Sequence, residues 1–266
     1  MSAPEPLGVE LRDGCLRLTL PGPERLGALR APTSEALDEE IVRAERDEAV
    51  RVVVITGTEG NFCSGADLLG VLDQVESEGG TEWFFGEFLP PLARALGRLR
   101  RLPKPVIAAV EGVCCAGGLE LVVSCDLIVA TESARFADRH ADLAMVPAAG
   151  GAAGLVRAVG RARAKEVLWT GAWYTGVEMA AAGLVNRLVP DGGLADAVDE
   201  LVAGLVDKEP TMLAAMKRLV DASVAMSVDE ALEDEQRTAK VMFEQPPFKR
   251  ALERFAARAA GSGAAG

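Results

Sequence analysis

A single histidine and a single tyrosine stand among 266 residues, and aromatic side chains make up only 5%. So small an aromatic share argues against the base-stacking surfaces of single-strand nucleic-acid binders. Basic residues are scarce too, 28 against 40 acidic ones, for a net charge of −12. A field of that sign repels a phosphate backbone, so nucleic acid is not an expected partner, and any anionic ligand needs a local basic cluster. The five cysteines (Cys15, Cys63, Cys114, Cys115, Cys125) are odd in number and form no CxxC. With one histidine beside them they do not suggest a structural zinc site, and they read as reduced thiols filling small core positions. Long uncharged apolar runs are missing as well. The richest stretch, Val106 to Ala130, is interrupted by Glu111, Glu120 and Asp126, whereas a membrane span needs about 20 apolar residues without such charges. Met1 to Glu10 shows neither a basic n-region nor an apolar h-region. The expectation is a soluble, cytoplasmic chain with no metal and no membrane.

What the chain does have is hydrophobic mass, 49% of residues, enough for one large domain or a core domain with a helical annex. Residues 7–20 alternate loosely and read as one or two strands, closed by Pro21-Gly22-Pro23. Pro32-Thr33-Ser34 opens an amphipathic helix with Leu37, Ile41, Val42 and Ala44 on one side. The β-branched run Val52 to Thr56 suits a strand buried on both faces. A helix is expected from about Trp83 to Leu102, a strand at Val106 to Val110, a helical segment around Leu119 to Ser124, and a strand at Leu127 to Ala130. Strands alternating with helices call for right-handed crossovers and a largely parallel sheet, hence an α/β fold. The α/β core is expected to span residues 1–190 and a helical C-terminal region 191–260. In that region Ser227-Val228-Asp229-Glu230 forms a capping box, and the tail, 261–266, is expected to be disordered.

Two small-residue bends follow buried strands: Gly60-Asn61-Phe62-Cys63-Ser64-Gly65-Ala66-Asp67-Leu68, and Glu111-Gly112-Val113-Cys114-Cys115-Ala116-Gly117-Gly118-Leu119-Glu120. Small side chains let backbone N–H groups approach a ligand, and a helix N-terminus adds partial positive charge. Two such bends on neighbouring strands could aim two N–H groups at one oxygen, the geometry of an oxyanion hole. They could equally be tight turns and nothing more.

The order of these motifs resembles the enoyl-CoA hydratase/isomerase (crotonase) superfamily. The likeness rests on Phe62 to Leu68, on Lys104 to Val110 with Gly112, Ala116 to Leu121 and Cys125-Asp126, and on Phe136-Ala137. It continues through Pro147 to Gly151, Leu168 to Gly171 and Ala182 to Val185, and covers about residues 7–258. The resemblance implies a spiral of ββα units, a helical C-terminal region used for assembly, and trimers or dimers of trimers. It implies a coenzyme A thioester as substrate, with no cofactor bound permanently. Carried over by position, the N–H groups of Ala66 and Gly117 form the oxyanion hole, and Asp67 and Leu68 line the same pocket. Glu120 matches the first catalytic glutamate of the hydratases. The second glutamate is absent, and His140 occupies its position. Imidazole can give or take a proton at the α-carbon, or His140 merely fills the slot, hydrogen-bonded to Asp138 or Asp142. Arg25 is placed to meet the ligand's phosphates, with Ala28 and Leu29 near the adenine or pantetheine, and the basic helix around Lys249, Arg250 and Arg254 as a further contact. Trp83, Phe84, Phe85 and Phe88 either line the acyl pocket or pack the core.

The expected activity is therefore addition or removal of water across the α,β bond of an acyl-CoA. Isomerisation or thioester hydrolysis on the same site is the alternative, and a non-catalytic assembly subunit is the rival from another class. Ala149 to Gly154 nearly spells a dinucleotide fingerprint, but Pro147 rather than a strand precedes it, so that reading fails on context.

Overall fold

The computed structural model describes residues 6–21, 26–77 and 79–262. Strands β1 (Gly8–Arg12) and β2 (Cys15–Thr19) form an antiparallel hairpin. It closes through Asp13 and Gly14, both at positive φ (49° and 81°), which matches the right-handed twist of the strands it joins. Helix α1 (Ala31–Arg46) follows, and then β3 (Val52–Thr56), β4 (Val106–Val110), β6 (Leu127–Thr131) and β9 (Arg187–Val189) add to β2, all parallel, in the order β1-β2-β3-β4-β6-β9.

Period-two alternation divides the sheet's side chains between two apolar layers. Val53, Ile55, Val106, Ala108 and Val110 face the main core, shared with α1 and with α4 (Leu89–Arg101). Val52, Val54, Ile107, Ala109 and Val129 face the opposite layer, covered by α8 (Leu194–Val206) through Leu194, Val198 and Val202. This packing explains where the first compact unit ends. It runs to Val206, not 190, because α8 seals the sheet's second face.

A smaller sheet holds β5 (Val113–Cys115), β7 (Arg135–Ala137) and β8 (Tyr174–Thr175). Each turn of the chain thus sends one strand to the large sheet and a second, shorter one to the small sheet before a helix: β4, β5, then α5 (Gly117–Val122), and β6, β7, then α6 (Gly151–Thr170). The fold is the spiral of ββα units. The first of these short strands, β5, lies within the second small-residue bend, and β7 and β8 are not among the elements expected from sequence.

The segment expected as one helix from Trp83 is divided among three pieces: the end of α3 (Gly80–Trp83), which follows α2 (Leu68–Ser77), a π-helical turn (Phe84–Phe88) and then α4. Pro90 and Pro91 stand at the start of α4 and have no N–H to give. The preceding turn widens, and the Leu89 N–H donates to the Phe84 carbonyl five residues back.

The second compact unit begins at Asp207 and holds α9 (Pro210–Ser223), α10 (Val228–Phe243) and α11 (Pro246–Ser262). The expected capping box is present: Ser227 Oγ accepts from Glu230 N–H, and Glu230 accepts from Ser227 N–H at 2.8 Å. Asp234, 6% exposed, joins α9 to α10 by accepting from Arg218 and also pairs with Arg237, each at 2.7 Å. α11 ends at Ser262, and the last four residues lie outside the described ones.

Glycines lock the two candidate bends to each other. Gly112 has φ 57°, and a Cβ there would lie 1.9 Å from the Gly60 carbonyl oxygen. Gly112→Ala is expected to destabilise the chain by at least about 1–3 kcal/mol, from overpacking plus left-handed backbone strain. Denaturant unfolding measures this, and a midpoint equal to wild type would contradict the packing described.

Candidate active site

Local hydrogen bonding explains how the two bends meet. Cys63 bridges to Cys114 in parallel register, with Cys115 N–H donating to the Cys63 carbonyl at 2.8 Å. Ala66 pairs with Leu29: the Leu29 N–H donates to the Gly65 carbonyl (2.6 Å) and the Asp67 N–H to the Leu29 carbonyl (2.9 Å). Backbone groups alternate in direction along an extended segment, so the N–H of Ala66 itself faces away from Leu29. Gly117 begins α5 directly after Ala116, whose unusual backbone (φ 47°, ψ −111°) is held by its N–H bond to Ala137. A Cβ on Gly117 would lie 3.7 Å from Ala66 N, and one on Gly65 3.2 Å from Gly117 N. Neither the Ala66 nor the Gly117 N–H has an acceptor among the described residues. Both residues line a cavity of about 370 Å³ together with Glu120 and His140.

Glu120 projects from α5 and is 3% exposed. Its Oε1 accepts from the N–H groups of Ala149 (2.8 Å) and Gly151 (2.9 Å), at the N-terminus of α6. Orphan amides and the helix dipole favour a carboxylate there. Gly151 must be small: a Cβ would sit 2.8 Å from Glu120 Cγ. With Oε1 doubly occupied, Oε2 is the oxygen left for a ligand.

His140 opens a short 3-10 turn (His140–Leu143). Its Nδ1 lies 3.0 Å from both oxygens of Asp138, and its backbone N–H donates to Asp138 Oδ1 at 3.1 Å. Of the two aspartates considered from sequence, the partner is Asp138, itself 1% exposed; Asp142 pairs with Arg139. A carboxylate only accepts, so Nδ1 carries a proton and Nε2 is the atom available to a ligand. Burial pulls the imidazole pKa down, but the hydrogen bond and charge of Asp138, with the charge of Glu120, outweigh it and raise the pKa above its ordinary value. A group with a raised folded pKa stabilises fully below its free value of about 6.5, and that contribution fades as pH climbs through the folded value. His140 is the chain's only histidine, so Tm is expected to fall across this window in wild type and to fall less in His140→Asn. Equal slopes in thermal scans from about pH 5 to 9 would contradict the pairing.

The other expected residues divide. Leu68 lines the cavity. Asp67 turns instead to α2, accepting from the Gly70 N–H at 3.2 Å, and is not among the lining residues. Ala28 is 8% exposed and also lies outside the lining. Arg25 falls outside the described residues. Phe84, Phe85 and Phe88 form an apolar wall, Phe84 and Phe88 stacked at 5.2 Å, while Trp83 packs on Phe88 without reaching the cavity. The π-helical turn carries that wall. Cys115 lines the cavity too, but burial pushes its thiol up to about 11, so it is no nucleophile near neutral pH. Among the described residues no three potential ligands cluster to hold a metal, and no helix is long and apolar enough to cross a membrane. Sequence reasoning missed the role of Ala149 and Gly151 as the donors that fix Glu120, and missed Arg100 behind them. The only available signal was Pro147 to Gly151, noted as a motif without a task.

Comparison with known proteins follows the same lines. The family model for enoyl-CoA hydratase/isomerase matches residues 10–261. A protein of Rhizobium meliloti described as a probable enoyl-CoA hydratase is 32% identical over 257 residues, 96% of each chain. The 1,2-epoxyphenylacetyl-CoA isomerase of Escherichia coli is 29% identical, covering 92% of this chain and 93% of the relative. The crystal structure of an enoyl-CoA hydratase from Mycobacterium smegmatis superposes with a TM-score of 0.87 at 30% identity, over 95% of this chain and 96% of that one. Two glycine-lined bends on one cavity, the buried glutamate beside them and a match over nearly the whole length agree: the chain belongs to the enoyl-CoA hydratase/isomerase family.

Proposed function

We propose that the chain adds water across the α,β double bond of an enoyl-CoA thioester, and removes it in reverse. One observation carries this reading: two amide hydrogens without acceptors among the described residues, on Ala66 and Gly117, border a cavity that Glu120 and His140 also line. The thioester oxygen accepts both N–H groups, which stabilise the charge it gains as an enolate forms. Glu120 Oε2 takes a proton from water as its hydroxyl bonds to the β-carbon. The imidazolium of His140 gives a proton to the α-carbon, and solvent then restores both groups. The Asp138 partnership fits this task, since it favours the cationic, proton-donating form. Leu68 and the phenylalanine wall meet the acyl chain, and Arg25 is assigned to the phosphates.

Incubation with a panel of enoyl-, 3-hydroxyacyl- and dienoyl-CoA thioesters, read by mass spectrometry, tests the reaction. Gain or loss of one water is the expected result. An unchanged mass with a moved double bond would establish isomerisation instead. Release of free coenzyme A would establish hydrolysis, and no turnover or thermal stabilisation with any thioester would favour a non-catalytic subunit. The pH dependence has a sign. Hydration is expected to slow as pH rises through the His140 value, because the proton donor is lost; kcat/KM for dehydration should fall in parallel, since both directions pass through enzyme carrying the same number of protons and the equilibrium constant does not change with pH.

Self-association is part of this proposal. The helical unit exposes Met216, Val220, Val224, Phe243 and Phe255, and sedimentation is expected to give a trimer or a dimer of trimers.

A further inference from the structure

Three arginines close α4: Arg98, Arg100 and Arg101. Arg98 reaches Asp38 at 2.8 Å. Arg100 turns the other way, and its Nη2 donates to the Ala149 carbonyl at 3.1 Å. The guanidinium lies so close to Gly150 (φ 107°) that a Cβ there would be 2.3 Å from Nη2 and 2.8 Å from Cζ. The turn at Ala149 to Gly151 is therefore gripped from two sides. Arg100 holds the Ala149 carbonyl, and Glu120 Oε1 holds the amide hydrogens of Ala149 and Gly151.

The position is an unfavourable one for a cation. Burial pushes the Arg100 pKa down, and Arg101 and Arg157 push in the same direction; the charge of Glu120 is the largest influence opposing them, with Cys125 a lesser one. A neutral donor such as glutamine could satisfy a lone carbonyl without that desolvation. The combination of a clamped turn and a costly charge beside Glu120 points to a use for the charge itself.

We propose that Arg100 is a positioning residue for Glu120: it fixes the Ala149–Gly151 turn and supplies the counter-charge that keeps Oε1 seated and Oε2 presented to the ligand. The inference rests on the reading above that Glu120 handles water.

The test is a double-mutant cycle in the full-length chain, measured as hydration of trans-2-hexenoyl-CoA. Arg100→Met is expected to lower kcat at least tenfold with KM within about threefold, and Arg100→Lys to recover most of the loss. In a Glu120→Gln background, Arg100→Met should cost nothing further, because the group it acts through is already disabled. A merely structural arginine would cost the same in both backgrounds, and that additive result overturns the proposal. So does an unchanged kcat in Arg100→Met, or a loss confined to KM. Should Arg100→Met fail to fold, Arg100→Gln keeps a donor for Ala149 without the charge and is expected to lose kcat in the same non-additive way. Glu120→Gln alone separates the two ideas. If it is fully active the reading that Glu120 handles water falls, whereas if it is inactive and the Arg100 variants are additive only the positioning role falls.

Discussion

Glu120→Gln is expected to lower kcat at least a hundredfold while KM stays within a few-fold, because general acid–base groups contribute about 10²–10⁴ and the amide cannot take a proton from water. The substitution is nearly isosteric, and an amide oxygen can still accept from Ala149 and Gly151, as Oε1 does now. The fold and the cavity should therefore persist, and circular dichroism with a thermal scan checks that they do. Turnover near wild type in a folded variant would remove Glu120 from the mechanism and leave it as the group that ties α5 to α6.

The second large effect concerns the α-carbon. His140→Ala is expected to abolish exchange of the substrate α-proton with solvent and to lower kcat by about 10²–10⁴. Proton exchange in deuterium oxide reads the step directly, apart from any change in water addition. Asp138→Asn should give a smaller loss. The imidazole keeps a hydrogen-bond partner but loses the charge that favours its protonated form. Undiminished exchange in His140→Ala would return the histidine to a packing role.

These residues were not equally legible. Val52 to Thr56 and Val106 to Val110 announce themselves as strands because unbroken β-branched and small apolar runs suit a sheet covered on both faces. The partners of the small sheet, two or three residues each, are too short to show any period. The capping box at Ser227 is local chemistry and reads directly from four residues. The π-helical turn depends on two prolines removing donors from the turn before them, which a helical pattern alone does not reveal. α8 has the apolar stripe of any amphipathic helix; which surface it covers is a tertiary fact, and that moved the end of the compact core.

The site shows the same division. Glu120 lies three residues after Gly117, about one helical turn, so the sequence alone places them together. His140 was found through the resemblance, as the residue at the absent glutamate's position, but the choice of Asp138 over Asp142 as its partner needed coordinates. Arg100 was invisible because a basic run at a helix C-terminus is ordinary dipole compensation. Nothing in the order Arg98-Leu99-Arg100-Arg101 says which guanidinium turns inward. Asp67, whose position beside Ala66 suggested the pocket, is drawn instead to the nearest orphan donor at the start of α2.

The most direct measurement is the 13C NMR shift of the thioester carbonyl of a labelled enoyl-CoA bound to Glu120→Gln, which is expected to hold substrate while turning it over at least about a hundredfold more slowly. Two converging amide donors should polarise that carbonyl and move its resonance downfield relative to the free thioester. A bound carbonyl that resonates where it does in water would contradict the account, since Ala66 and Gly117 would then not be donating to it.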